Sequence, residues 1–196
     1  MIILTISRGE ITKLRGRSRF CIFGIYRLRK RRWSDMDLRE LRNCFGQFAT
    51  GVTVITWNDD NGEKNGITVN SFTSVSLDPA LALVSIDKKA KACIELKNRS
   101  FIINILSDSQ EKYAWQFAGK PDENLIVEWE EDSKVGPRLK NTLATIECTP
   151  WKEYDGGDHV LFIGEVVDFS YKEEEALLFF RGKCLKMQST ETAVKN

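Results

Sequence analysis

At 196 residues, 42% of them hydrophobic, the chain is long enough for one domain with a core of ordinary size. Its formal net charge of +1 hides an asymmetry: residues 1–33 hold ten of the 29 basic residues and one of the 28 acidic ones, so the rest carries about −8. That argues against nucleic acid as the partner of the domain body, and no apolar run approaches the ~18 residues a membrane helix needs.

The five cysteines, Cys21, Cys44, Cys93, Cys148 and Cys184, are odd in number and contain no C-x-x-C pair. Reduced thiols in a soluble, cytoplasmic protein are the expectation, with no zinc or dithiol site. Residues 1–34 mix scattered apolar residues with arginines. They read as a basic arm for nucleic acid or an anionic membrane, as a targeting leader, or as a disordered extension upstream of a natural start at Met36. The expected plan is that extension followed by one domain over residues 35–190.

Ser34 is placed to cap a helix through DMDLRELRNCFGQFAT, where Leu38, Leu41, Phe45 and Phe48 recur at spacings of three and four and Gly51 stops it. That stripe is expected to pack on the body. Gly51 to Trp57 reads as a strand, and the cluster Asn58 to Gly62 as a hairpin turn into a second strand.

Asn65 to Leu81 reads NGITVNSFTSVSLDPAL. Its alternation puts Thr68, Asn70, Ser74 and Ser76 on one parity and Val69, Ser71, Thr73 and Val75 on the other, a face of short polar groups on which a flat ligand can reach the backbone. An edge strand rich in Ser and Thr gives the same pattern. Strands at Ala80–Asp87 and Phe101–Leu106 flank a short helical segment from Lys88 to Leu96. Ser107 with Gln110 forms a capping box for a helix ending at Gly119, and Asp122 to Lys140 reads as a long surface loop.

Strands at Thr142–Cys148, His159–Tyr171 and Ala176–Arg181 bring the total to about seven, with three helices and no βαβ interval. A mainly β fold follows, an antiparallel closed or split barrel with flanking helices. Neither G-x-G-x-x-G after a strand nor G-x-x-x-x-G-K-[ST] occurs, so Rossmann and P-loop nucleotide sites are absent.

His159, the one histidine, follows the turn Gly156-Gly157-Asp158. It is either a ring at the mouth of a ligand site or a histidine satisfied by Asp158 or a nearby carbonyl. One histidine without a cysteine pair makes no metal site, and without a G-x-S-x-G elbow it serves no serine hydrolase.

Three blocks in order, GVTVIT (51–56), GITVNSFTSVSLDP (66–79) and GDHVLFIGEV (157–166), resemble the flavin reductase family with the FMN-binding split-barrel fold, over roughly Leu38 to Met187. The resemblance implies FMN, with FAD the alternative, and NADH or NADPH as hydride donor. It implies a homodimer that passes electrons on as reduced flavin, to a monooxygenase or another acceptor. It places Thr68, Val69, Asn70 and Ser71 at the isoalloxazine, Ser74, Val75 and Ser76 near the ribityl chain, and His159 at the nicotinamide side as the catalytic candidate.

The resemblance places Lys88, Lys89 and Lys91 where the family binds phosphate, with Lys89 and Lys91 the candidates, although three lysines there also describe a solvated face. Ala90 and Ala92 depart from the hydroxyls common there, as Ala176 and Cys184 depart from Pro and Tyr. A flavin-binding electron carrier that never takes hydride, and a binding module working through the basic arm, are the alternatives.

Overall fold

The computed structural model describes residues 36–130, 133 and 135–187. The basic segment of residues 1–34 and its expected cap Ser34 lie outside the described residues.

Helix α1 spans Leu38–Phe45, with Asp37 as its N-cap: the carboxylate accepts from the Arg39 amide at 2.8 Å and the Glu40 amide at 3.3 Å. It ends at Gly46, five residues short of the Gly51 stop expected from the sequence. Its apolar stripe does not pack as expected either. None of its residues is buried, and Leu38, Phe45 and the following Phe48 are 70%, 69% and 77% exposed. The barrel's interior is filled by its own strands and by a different helix, so the stripe finds no surface to cover within the described chain.

The strands are β1 (Thr50–Gly51), β2 (Thr53–Asn58), β3 (Lys64–Val69), β4 (Thr73–Leu77), β5 (Ala80–Asp87), β6 (Phe101–Ile105), β7 (Trp129–Glu130), β8 (Arg138–Leu139), β9 (Ala144–Gly156), β10 (His159–Tyr171), β11 (Leu177–Phe180) and β12 (Lys183–Lys186). Seven form one antiparallel sheet in the order β3-β2-β6-β9-β10-β5-β4. Consecutive strands β3 and β4 therefore sit at opposite edges, and the three residues between them carry the chain from one edge to the other. A sheet whose edges are joined in this way curls into a barrel and shields its free strand groups.

The core has two layers. Ile55, Trp57, Val84, Ile86, Phe101, Ile103 and Phe162 fill the inside, and helix α2 (Lys91–Glu95) adds Ala92 and Cys93, with Leu96 just beyond it. Val52, Val54, Leu106 and Leu177 pack on the other face with Ala114 of helix α3 (Glu111–Gln116). Strand β2 is covered on both faces, which is why VTVITW lacks clean alternation. The capping box expected at Ser107 and Gln110 is present, over a 3₁₀ turn that leads into α3.

The 122–140 stretch expected as a loop contains the short β7–β8 ladder, and β12 has no counterpart in the expected strands. A buried network fixes this excursion. Asn104 Nδ2 donates to Val54 O and Thr56 Oγ1, both at 2.9 Å, while its Oδ1 accepts the Leu139 amide at 3.0 Å.

Where β10 crosses Pro150 of β9, Gly164 leaves no room for a side chain: a Cβ there would lie 2.6 Å from Cys148 Cβ and 2.9 Å from Phe101 Cζ. Cys148 is fully buried, which pushes its thiol up to about 12 and makes it packing material rather than a nucleophile. Gly164→Ala is expected to cost about 1–3 kcal/mol through overpacking. It should lower the urea midpoint with an unchanged m-value.

Candidate flavin site

The chain leaves the β2 ladder at Val69 and joins β5 at Thr73, so Asn70, Ser71 and Phe72 form an open corner. The single alternating strand expected over 65–81 is thus two strands, and the shared polar parity of Thr68, Asn70, Ser74 and Ser76 is broken at the corner. Among the described residues, no hydrogen bond reaches the amides of Asn70, Ser71 and Phe72. Donors left free in a concave corner are what a planar ligand with acceptor atoms requires.

A cavity of about 270 Å³ lies against the corner, lined by Ile67 to Ser71, Ser85 to Asp87 and His159. A second, of about 660 Å³, continues along Thr50, Gly51, Thr53 and Asn70 to Thr73, with Phe45 and Phe48 on its rim. The volumes suit a cofactor-sized ligand. Sequence-distant Thr68, Val69, Asn70, Ser71 and His159 are thereby brought together.

The hydroxyls have structural duties. Thr68 Oγ1 donates to Ala114 O at 2.7 Å, tying β3 to α3. Ser71 Oγ donates to Ser85 O at 2.9 Å and accepts the Ser85 amide at 3.0 Å. Ser76 Oγ accepts the Asp78 amide at 3.2 Å. What the segment offers a ligand is therefore chiefly backbone, together with the Asn70 side chain, which has no hydrogen bond among the described residues. Ser74, Val75 and Ser76 lie on β4 and line neither cavity.

His159 opens β10 and pairs with both Gly156 and Asp87. Its Nδ1 is 2.7 Å from Asp158 Oδ1, and this hydrogen bond holds the Asp158 carboxyl below the usual range. The ring's other nitrogen, Nε2, has no described partner. Asp158 thus satisfies one ring nitrogen, and His159 also lines the cavity.

Lys89 and Lys91 line neither cavity. The Lys91 ammonium pairs with Glu95 at 2.9 Å, its Nζ lies 3.4 Å from Asn65 Oδ1, and the hydrogen bond to Glu95 raises its pKa. Helix α2 has Ala90 as its N-cap and so no side-chain cap, as the missing hydroxyl there implies. Ser85, Ile86 and Asp87 were not among the residues expected from the sequence. Their signal is the antiparallel register with β10, which only the assembled sheet supplies. Among the described residues no group of three or more His, Cys, Asp or Glu side chains is placed to hold a metal, and no helix is long and apolar enough to cross a membrane.

Residues 45–187 match the model of the flavin reductase like domain. The reductase component of the flavin-dependent trigonelline monooxygenase of Acinetobacter baylyi is 38% identical over 167 residues, which cover 82% of this chain and 54% of that one. The chain thus spans about half the length of this curated relative. Flavin reductase PheA2 in its native state superposes with a TM-score of 0.74 at 45% identity, covering 78% of this chain and 99% of the other. The NADH:FAD oxidoreductase SgcE6 of Streptomyces globisporus, solved with NAD and FAD fragments, gives 0.71 at 35% identity and covers 79% and 95%. The split-barrel fold, the open corner and these matches agree, and the chain belongs to the flavin reductase-like domain family.

Proposed function

We propose that this chain binds FMN, or alternatively FAD, at the corner between the two sheet edges and reduces it with a nicotinamide nucleotide, NADH being the donor named for SgcE6. The observation that carries the reading is the meeting of the unpaired Asn70 and Ser71 amides with the sole histidine across one cavity, with Phe72 lining the adjoining one. Bound flavin supplies the hydride-accepting chemistry, so the chain needs no nucleophile and no acid/base pair. Its own work is to bind, orient and exclude water.

The amides of Asn70, Ser71 and Phe72 would donate to the acceptor edge of the ring, with Thr68 and Val69 forming its bed. Ser74, Val75 and Ser76 would serve the ribityl chain. Lys89 and Lys91 would attract the phosphate, Lys91 more weakly because Glu95 already shares its charge. His159 would orient the nicotinamide through Nε2.

Reduced flavin would go to a monooxygenase, as the name of the Acinetobacter relative suggests. A homodimer is supported by exposed apolar residues that a monomer leaves wet, among them Leu77, Phe169 and Tyr171 at 95%, 67% and 73%. The free thiols Cys44, Cys93, Cys148 and Cys184 fit a reducing cytoplasm.

Anaerobic NADH is expected to bleach FMN added to the purified protein, whereas lasting colour would make it an electron carrier. His159→Ala should leave flavin affinity intact and lower kcat/KM for NADH by about tenfold to a hundredfold. A lower melting temperature with normal turnover would instead make the histidine structural.

The domain is proposed to occupy residues 35–190 and to need nothing from residues 1–34. A protein starting at Met36 should match the full chain in flavin affinity, and in stability to within ~0.5 kcal/mol. A larger loss of either would show that the segment belongs to the fold.

A further inference from the structure

We infer that Lys88, which lines neither cavity, is the positioning residue for His159, acting through the β9–β10 turn; this rests on the nicotinamide role proposed for that histidine. Lys88 follows the last residue of β5, next to Asp87, which pairs with His159 in the ladder. Its ammonium donates to Gly157 O at 2.6 Å and to Asp155 Oδ1 at 2.7 Å. Asp155 Oδ1 also accepts the Gly157 amide at 3.1 Å, and the Lys88 amide donates to Asp158 O at 3.0 Å. The hydrogen bond from Lys88 holds the Asp155 carboxyl below its usual range, so the pair stays ionic at neutral pH.

One lysine thus grips every residue of the turn from Asp155 to Asp158 except Gly156. Gly157 takes φ 82°, a left-handed value that glycine adopts without steric cost, and the Lys88 bonds pin the turn to the end of β5. Asp158 in turn holds Nδ1 of the ring at 2.7 Å. The chain of contacts runs from β5 through Lys88 to the turn and through Asp158 to the imidazole of His159, which lines the cavity.

The magnitudes separate positioning from stability. The side chains of Lys88 and Asp155 are 40% and 77% exposed, and an exposed pair of this kind adds little to folding. A displacement of about 1 Å at a reacting group, by contrast, costs up to about a hundredfold in rate. Lys88→Met keeps the aliphatic stem and removes both ammonium bonds, so function should suffer where stability does not.

The test uses Lys88→Met and Lys88→Arg in the full chain, alone and combined with His159→Ala. Lys88→Met should lower kcat/KM for NADH about fivefold to twentyfold, with melting temperature unchanged to within about 2 °C and equal affinity for FMN and riboflavin. Lys88→Arg should restore most of the loss. On the His159→Ala background Lys88→Met should have no further effect; multiplying effects would overturn the inference. Selective loss of FMN over riboflavin would overturn it too, by making Lys88 a phosphate ligand.

A readout that needs no activity comes from the chain's single histidine. Its ring nitrogen and carbon resonances in labelled protein should shift or broaden in Lys88→Met. Superimposable ring signals in the two proteins would overturn the inference even if the wild type failed to oxidise NADH, and that failure would sink only the proposed function.

Discussion

The structure depends on the joining of the two edges of one sheet through three residues. Strands β3 and β4 are neighbours in sequence and lie at opposite ends of a seven-stranded order, so Asn70 to Phe72 must cross the mouth of the barrel. A single hydroxyl holds the crossing: Ser71 Oγ bonds both backbone groups of Ser85 on β5. Two such bonds contribute on the order of 2 kcal/mol, and they replace ladder pairing that the corner gives up. The corner's own amides are left over, and they are what the proposed site offers a ligand. Fold closure and the open donors of the corner are consequences of the same break in pairing.

The rest of the barrel makes that break tolerable. Strand β2 is buried on both faces by two apolar layers, and the buried side chains of Thr53, Thr56 and Asn104 are hydrogen-bonded. Thr53 Oγ1 donates to Val69 O at 2.9 Å, fixing the last ladder residue before the corner. The Asn104 network ties β6, β2 and β8 into one wall. A buried amide satisfied at several atoms specifies geometry more than it adds stability. Beside it Glu147, its side chain 5% exposed, faces Arg138 at 3.4 Å, and Arg138 Nε lies 2.7 Å from Glu130. This pairing draws the long connection onto the sheet.

Polar and apolar side chains have traded their usual roles at the site. The hydroxyls that make 65–81 conspicuous in sequence mostly hold the fold together, through Thr68 to α3, Ser71 to β5 and Ser76 within its own turn. Conversely, several large apolar residues that a sequence reader assigns to the core are on the surface. Those of α1 are the clearest case, with a helical period that is intact and a burial that is absent.

The sequence by itself determined much of the secondary structure, because period and turn chemistry are local. The β5 and β10 boundaries, the Ser107–Gln110 capping box and the hairpin between β2 and β3 all follow from residues within a few positions of one another. The family was legible for a related reason, since three blocks in order survive as linear text. Tertiary structure alone decided what depended on register and edge. That Ser85 and Asp87 share a wall with His159, that Lys88 reaches Gly157, and that 65–81 is two strands at opposite edges are facts of pairing between residues tens of positions apart. The same limit explains α1: a helical stripe shows that an apolar face exists, and only the assembled barrel shows that its own interior is already full.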